Sequence, residues 1–283
     1  MKARGPERLQ NLVREWIPRP VRNWLRSPSK ALAWGWDAAR FSAGFTQALR
    51  IPPDISIICH PHAFKVAYES QIIDPEQSAE FQSFLTSCSR TMFLFDIGAH
   101  FGVFSLAAAH FGAKAIAVDP SPIATKMIAK QAALNGWTES IQIVRAAVND
   151  TGGTLDMLST GVYGEGYFKF VEGRSSKELT ETHAITIDQM TSKFGGPTHV
   201  KIDVEGQEAA ALRGGRETLK QFSPVLFLEL HNEMIVAQGG DRNAALDELK
   251  NLGYGVFSLD GMPIDPTTIF DKDVVRIVAR RRD

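Results

Sequence analysis

Met92–Pro120 reads MFLFDIGAHFGVFSLAAAHFGAKAIAVDP, and the chain is organised around this stretch. Met92–Phe95 is a short apolar run of the kind that makes a buried strand. It ends in Asp96, and the chain then turns through Gly98-Ala99-His100-Phe101-Gly102. Phe104–His110 is apolar and alanine-rich, which favours a helix. A second apolar run, Ala115–Val118, leads to Asp119-Pro120. Strand, glycine turn, helix, strand and acid make up half of a nucleotide-binding α/β unit. Gly98 and Gly102 allow a sharp turn and a close approach to a ligand, so a side chain at Gly98 is expected to enter the ligand's space. The Asp119 carboxylate can accept from both hydroxyls of a ribose.

The glycine spacing chooses between cofactors. A dinucleotide fold wants G-x-G-x-x-G. Here the turn is Gly98-x-x-x-Gly102, with Asp96 ahead of it and His100 in place of the middle glycine. An acid facing the turn repels a pyrophosphate and suits a cationic amino group, as at the methionine end of S-adenosylmethionine.

Outward from this stretch, the pattern alternates. Ser121-Pro122 caps a helix that Asn135-Gly136 ends, and Ile141–Val148 reads as the third strand. Residues 159–167 are glycine-rich and aromatic, as a mobile loop near a ligand or a plain hairpin turn would be. Ala184–Ile187 reads as a short strand closing on Asp188. His199–Val204 is the fourth core strand, and Gly214-Gly215 interrupts the helix after it. Pro224–Leu230 (PVLFLEL) is nearly continuous in apolar residues, as a strand buried on both faces is. Tyr254–Leu259 and Val274–Ala279 follow as the last two strands, with no helix between them. The expected fold is therefore α/β, a doubly wound, mostly parallel Rossmann-like sheet with an antiparallel last strand. An N-terminal helical and β extension precedes it.

That extension divides in two. Residues 1–53 form a basic, tryptophan-rich arm of helices broken by Pro18, Pro20 and Pro28. Residues 54–91 are expected to hold two strands, Ile55–Cys59 and Phe64–Tyr68, turning through His60-Pro61-His62. A helix capped by Asp74 follows. Residues 92–283 are expected to form the core α/β domain. The arm's charge hides in a net of −1: residues 1–50 hold ten Lys/Arg against three Asp/Glu, and the rest hold 21 against 29. Four of five tryptophans (Trp16, Trp24, Trp34, Trp36) lie there too. Such a segment can rest on an anionic membrane or a lipid-linked substrate, pack on the acidic body, or contact a second subunit. No recognised nucleic-acid motif accompanies the charge, so no nucleic-acid partner is expected. There is no 18-residue apolar run and no convincing signal peptide, so a cytoplasmic protein with peripheral membrane contact through residues 1–50 is expected. Cys59 and Cys88 form no C-x-x-C, and neither G-x-S-x-G nor H-E-x-x-H occurs, which argues against redox, zinc-knuckle and hydrolase chemistry.

Several motifs, in order, resemble the FkbM family of S-adenosylmethionine-dependent methyltransferases. Asp96-Ile97-Gly98-Ala99-His100-Phe101-Gly102 resembles D-x-G-A-N-x-G, with His100 where the family has asparagine. Val118-Asp119-Pro120 resembles F/V-E-P. Ala147-Val148-Asn149-Asp150, with Gly152, resembles A-x-S-D-x-x-G, and Thr186-Ile187-Asp188 resembles T-L-D. Lys201–Glu208 (KIDVEGQE) matches K-I-D-V-E-G-x-E, and Leu212-Arg213-Gly214 continues it. The resemblance spans about Phe93 to Glu229. It implies a class I methyltransferase sheet and S-adenosylmethionine held by Asp96, Gly98, Ala99, His100, Gly102, Asp119 and Asn149. It also implies methylation of a hydroxyl on a sugar, glycolipid or secondary metabolite. The alternatives from the residues are an NAD(P)-dependent oxidoreductase, disfavoured by the glycine spacing, and a non-catalytic partner retaining the fold.

An alcohol acceptor needs its proton removed, so a base is expected near the carboxyl ends of the strands. Asp203, Glu205 and His231 lie there. His231 has the ordinary pKa best matched to neutral pH, while Asp203 has the stronger motif context. A divalent ion between Asp203, Glu205 and Glu229 is compatible with these residues but not required, and no metal is expected. His60 and His62 are expected to form a turn.

Overall fold

The computed structural model describes residues 36, 39–40, 42–51, 55–159, 168–170 and 179–281. The expected helical arm over residues 1–53 falls largely outside them, as does the glycine-rich segment 160–167.

In chain order the elements begin with β1 (Gln47–Ile51) and β2 (Ile55–Cys59), which pair antiparallel. Helix α1 (Pro61–Tyr68) follows and continues into a π-helical turn over Glu69–Ile73. The expected second strand at Phe64–Tyr68 is thus helical, and β2 finds its partner in β1 instead. Local composition reads the same either way, but β1 already offers a matching apolar alternation on its Leu49 and Ile51 face. Helix α2 (Pro75–Ser87) starts at Asp74, whose carboxylate accepts from the backbone N–H of Glu76 at 3.0 Å and of Gln77 at 2.8 Å.

The core then runs β3 (Phe93–Ile97), α3 (Val103–His110), β4 (Lys114–Val118), α4 (Pro122–Asn135) and β5 (Ile141–Val144). A small side sheet holds β6 (Ala147–Val148), β7 (Gly153–Ser159), β8 (Phe168–Phe170) and β9 (Leu179–Ile185). The expected strand Ile141–Val148 therefore splits: Arg145 and Ala146 break the ladder, and β6 pairs with β9 rather than with β4. Next come α5 (Ile187–Phe194), β10 (His199–Ile202), α6 (Glu208–Arg213), α7 (Arg216–Phe222), β11 (Val225–His231) and α8 (Asn232–Ala237). Helix α9 (Ala244–Asn251), β12 (Tyr254–Phe257), a 3-10 helix over Pro266–Asp271 and β13 (Val274–Arg281) follow among the described residues.

Seven strands form the main sheet in the order β12-β13-β11-β10-β3-β4-β5. Strands β11, β10, β3, β4 and β5 are parallel, and β13 runs antiparallel to both neighbours. Order reverses between β3 and β10, the crevice where open α/β sheets bind ligands.

Strand alternation sorts side chains to two faces. Leu94, Ala115, Ala117, Phe227 and Val278 face α2, α3 and α4, where Phe84 meets Phe104 and Phe227 edge-on at 5.0 and 5.5 Å between ring centroids. Phe95, Ile116, Val200, Leu226 and Leu228 face the other way, toward α5, α6, α7 and α9. The first face carries an exception near its carboxyl end. Lys201 pairs in register with Asp96 on one side and Phe227 on the other, and Glu229 pairs with Arg276. Among the described residues, no helix is long and apolar enough to cross a membrane.

Candidate active site

A cavity of about 780 Å³ opens at the carboxyl ends of β3, β4, β10 and β11, within the usual size range for small-molecule sites. It is lined on one side by Gly98–Phe101, Asp119 and Ala146–Asn149, and on the other by Asp203–Glu205, Glu229 and His231. All of the expected residues except Gly102 therefore share one chamber, in two groups.

The first group centres on Asp119. It is buried just past β4, and its two oxygens accept from the backbone N–H of His100 and of Ser121, each at 2.8 Å. His100 reaches it by adopting a left-handed backbone, φ 49°. Asparagine and histidine are both among the side chains that tolerate this conformation, so the departure from the family's asparagine keeps the turn. Burial pushes the Asp119 carboxyl up to about 7, against the pull of its two N–H donors. Each oxygen has a further lone pair for a ligand hydroxyl.

Other residues of the turn also have structural partners. Asp96 is buried, and one of its oxygens accepts from the backbone N–H and hydroxyl of Ser105 at 3.0 and 2.6 Å, pinning α3 to β3. Ser105, which no motif marks, sits one residue past the apolar helix start. The N–H groups of Gly98 and Ala99 both donate to the carbonyl of Val118. A Cβ at Gly98, φ 77°, would lie 1.8 Å from the Asp203 carbonyl oxygen. Gly98 lines the cavity, and the backbone just past β10 already demands a glycine there before any ligand does. Gly102, φ 76°, faces Ile128 of α4 in the same way. Asn149 reaches the cavity wall, and its side-chain Oδ1 accepts from the backbone N–H of Gly152 at 2.7 Å and of Thr151 at 3.3 Å.

Several motif residues form scaffold. Thr186 makes a reciprocal capping box with Gln189. Asp188 caps α7 by accepting from the Thr218 N–H at 2.8 Å and hydroxyl at 2.6 Å. A Cβ at Gly214 would strike the Asn149 carbonyl at 2.1 Å, while Arg213 reaches Asp150 at 3.0 Å. Three separate motifs thus lock one corner below the cavity.

The second group is charged. Ligating atoms of Asp203, Glu205 and His231 all lie within 4.8 Å of one another. His231 Nδ1 lies 2.9 Å from Oε1 of Glu208, a wholly buried residue, and its Nε2 lies 3.7 Å from Asp203, 3.7 Å from Glu229 and 4.0 Å from Glu205. Burial pushes the His231 imidazolium down. The Glu208 hydrogen bond and the surrounding carboxylates outweigh that and raise it to about 9. The shift favours the imidazolium at neutral pH, in contrast to the ordinary pKa expected for His231. Burial, reinforced by Glu229, holds Asp203 well above the usual carboxylate range. Its side chain remains 33% exposed to the cavity, so solvent moderates the rise.

Behind this group lies an ion lattice outside the expected set. Lys201 Nζ sits 2.9 Å from Glu80, 3.5 Å from Glu229 and 3.9 Å from Asp203. Arg276 reaches Glu229 at 2.5 Å and Glu80 at 3.6 Å. Burial pushes Glu229 up, but Lys201, Arg276 and His231 together hold it low. Glu80 stays high in spite of Lys201, because burial dominates, whereas the carboxylates hold Lys201 above the lysine range against its own burial. The closest pair of the lattice is Lys201 with Glu80, and each also has a second partner, Glu229 for Lys201 and Arg276 for Glu80. A period-two reading could have found these residues, since Lys201, Glu229 and Arg276 each fall in phase on the same face of otherwise apolar strands.

A family model for the methyltransferase FkbM domain matches residues 96–256, more than half of the chain. The chain belongs to this family. Among solved structures, it is similar to the methyltransferase FkbM of Methylobacillus flagellatus KT, at 14% identity and a TM-score of 0.47, over 78% of this chain and 55% of that one. The chain thus spans about half the length of that protein. It is also similar to the precorrin-6y C5,15-methyltransferase of Geobacter metallireducens GS-15, at 12% identity and TM-score 0.43, over 75% and 92% of the two chains. A TehB-like SAM-dependent methyltransferase of Corynebacterium glutamicum is similar at 12% identity and TM-score 0.41, over 78% and 98%. Among curated proteins, none matches. These structural likenesses are weak, and membership of the FkbM family stands on the sequence match.

Proposed function

We propose that this FkbM-domain chain transfers a methyl group from S-adenosylmethionine to a hydroxyl of a sugar, glycolipid or other secondary metabolite. The observation that carries the reading is Asp119. It is a carboxylate fixed by two backbone N–H groups at the end of β4, with spare lone pairs, on the wall of a cavity of about 780 Å³. That donor set fits a ribose diol. When bound, S-adenosylmethionine supplies an electrophilic methyl group on a sulfonium. The chain then has to orient the acceptor and accept its proton. Asp203 suits that role, because it lines the cavity and its raised pKa brings its basicity nearer to that of a useful base. The buried lattice behind it holds its carboxylate in place.

Calorimetry on the purified chain tests the cofactor. S-adenosylmethionine is expected to bind with a Kd in the micromolar range, and NAD is not. Asp119→Ala should weaken binding by about 1.5–3 kcal/mol, roughly 10- to 150-fold, because charged hydrogen bonds to the ribose are lost. Wild-type affinity in a folded Asp119→Ala chain would remove the ribose assignment.

A pH dependence follows from the same group. The folded carboxyl titrates at about 7, against roughly 3.9 in an unfolded chain. A raised folded pKa gives stability that is complete below about pH 4 and is lost as pH rises through 7. The ionised form is the better acceptor for ribose hydroxyls, so cofactor affinity should rise between pH 6 and 8. Asp119→Asn should flatten both slopes. An affinity profile equally steep in Asp119→Asn would assign the titration to another group.

A further inference from the structure

We infer that Asp203, Glu205 and His231 form a binding site for one divalent cation at the acceptor end of the cavity. Two carboxylate oxygens and one imidazole nitrogen converge within 4.8 Å. Acids gathered in a cleft would not by themselves make a site; the histidine supplies the independent observation. Its side chain is 92% buried, yet Nε2 makes no hydrogen bond. Nε2 points into the group at 3.7 Å from Asp203 and from Glu229 and 4.0 Å from Glu205, ion-pair separations beyond hydrogen-bond reach, and an ion bound there would displace the Nε2 proton. Two metal–ligand bonds of about 2.0–2.2 Å span at most roughly 4.4 Å, so these gaps are ones that a bridging ion closes.

The second coordination layer is also in place. Metal-bound histidines usually donate their other N–H to a carboxylate, which fixes tautomer and ring orientation. Glu208 lies 2.9 Å from His231 Nδ1 and is itself held by the Gly206 N–H at 3.0 Å. Glu208 has no exposure to solvent. A fully buried carboxylate behind a buried histidine whose far nitrogen faces two more carboxylates is the donor arrangement of a cation site. The mixture of one imidazole and two carboxylates favours Mn²⁺ or Zn²⁺ over Mg²⁺ and Ca²⁺, which prefer oxygen shells.

Asp203 and Glu205 line the cavity, so positions left open on the ion face it. An ion there would hold acceptors that present oxygen donors, such as a sugar hydroxyl, and polarise them. That role rests on the methyl-transfer reading; binding of the ion does not.

The test uses the full-length chain, stripped with chelator and titrated with Mn²⁺, with free Mn²⁺ read by electron paramagnetic resonance. One saturable ion per chain is expected, displaced by Zn²⁺. Asp203→Asn and His231→Ala should abolish saturable uptake, and Glu208→Gln should weaken it 10- to 100-fold. If His231→Ala does not fold, Glu205→Gln reads the same loss from the cavity rim. S-adenosylmethionine affinity, measured in each variant, reports that the fold survives. Absence of saturable uptake, or uptake unchanged in Asp203→Asn, overturns the site. Cofactor binding without Mn²⁺ uptake overturns the cation site and leaves the transferase reading; Mn²⁺ uptake without cofactor binding supports the site and overturns that reading.

Discussion

Lys201→Met is expected to destabilise the chain by about 3–5 kcal/mol, the range for removing one partner of a buried ion pair. Lys201 is 3% exposed and faces Glu80, Glu229 and Asp203 within 4 Å. Methionine keeps most of the volume but not the ammonium, which sits over the Phe104 ring at 5.3 Å. What disappears is the charge, leaving carboxylates buried in one pocket with Arg276 as their main counterion. The loss should shrink on acidification, as the stranded acids take up protons. It should also shrink in Lys201→Met/Glu80→Gln, where one of the acids is neutral. Urea denaturation at neutral pH reads the effect. A loss under about 1 kcal/mol, or no relief in the double variant, would mean that water enters the lattice and screens it.

Gly98→Val should be nearly as damaging, and it should act on stability before it acts on any ligand. The backbone at φ 77° is strained for any side chain, by about 1–3 kcal/mol. The added Cβ also meets the Asp203 carbonyl oxygen at 1.8 Å, so β3 and β10 must part where Asp203 N–H donates to the Ile97 carbonyl. Overpacking of this kind costs a further ~1–3 kcal/mol. Gly98→Ala carries most of the penalty and is the cleaner measurement. Should Gly98→Ala fall within about 0.5 kcal/mol of wild type, the span of an inconsequential substitution, while losing cofactor affinity, the glycine serves the ligand after all.

The fold was legible because its signals are local and repeated. Short apolar runs, each ending in an acid, announced β3, β4 and β10, the longer run Pro224–Leu230 announced β11, and together they marked the edge on which the cavity lies. The place of Asp119 on the cavity wall could be read from its position at the end of the second strand. Less legible was Phe64–Tyr68, which lacks any mark against helix; its conformation follows from β2 pairing with β1. The split after Val144 was hidden for a similar reason, because β6 continues the apolar run while changing partners. Motif matching also blurred two kinds of residue. Asp203, Glu205 and His231 do meet in space, whereas Asp188, Arg213 and Gly214 fasten helices. The left-handed backbone of Glu205, φ 54°, which helps present that carboxylate, leaves no mark in composition. The charge state of His231 was unreadable for a deeper reason: it depends on Glu208, Asp203 and Glu205 arriving around it, and no local feature encodes that.

The family match begins at residue 96, yet the carboxylates nearest Lys201 and Arg276 include Glu80, and Glu76 reaches Lys272 at 2.8 Å from the same helix, α2. Strand β13, which supplies Arg276, lies past the match at its other end. The segment shared with relatives is thus electrically incomplete: two flanking pieces, one before it and one after, close its circuit from outside. Any shortened version of this protein would have to keep both α2 and β13, or replace Lys201 along with them.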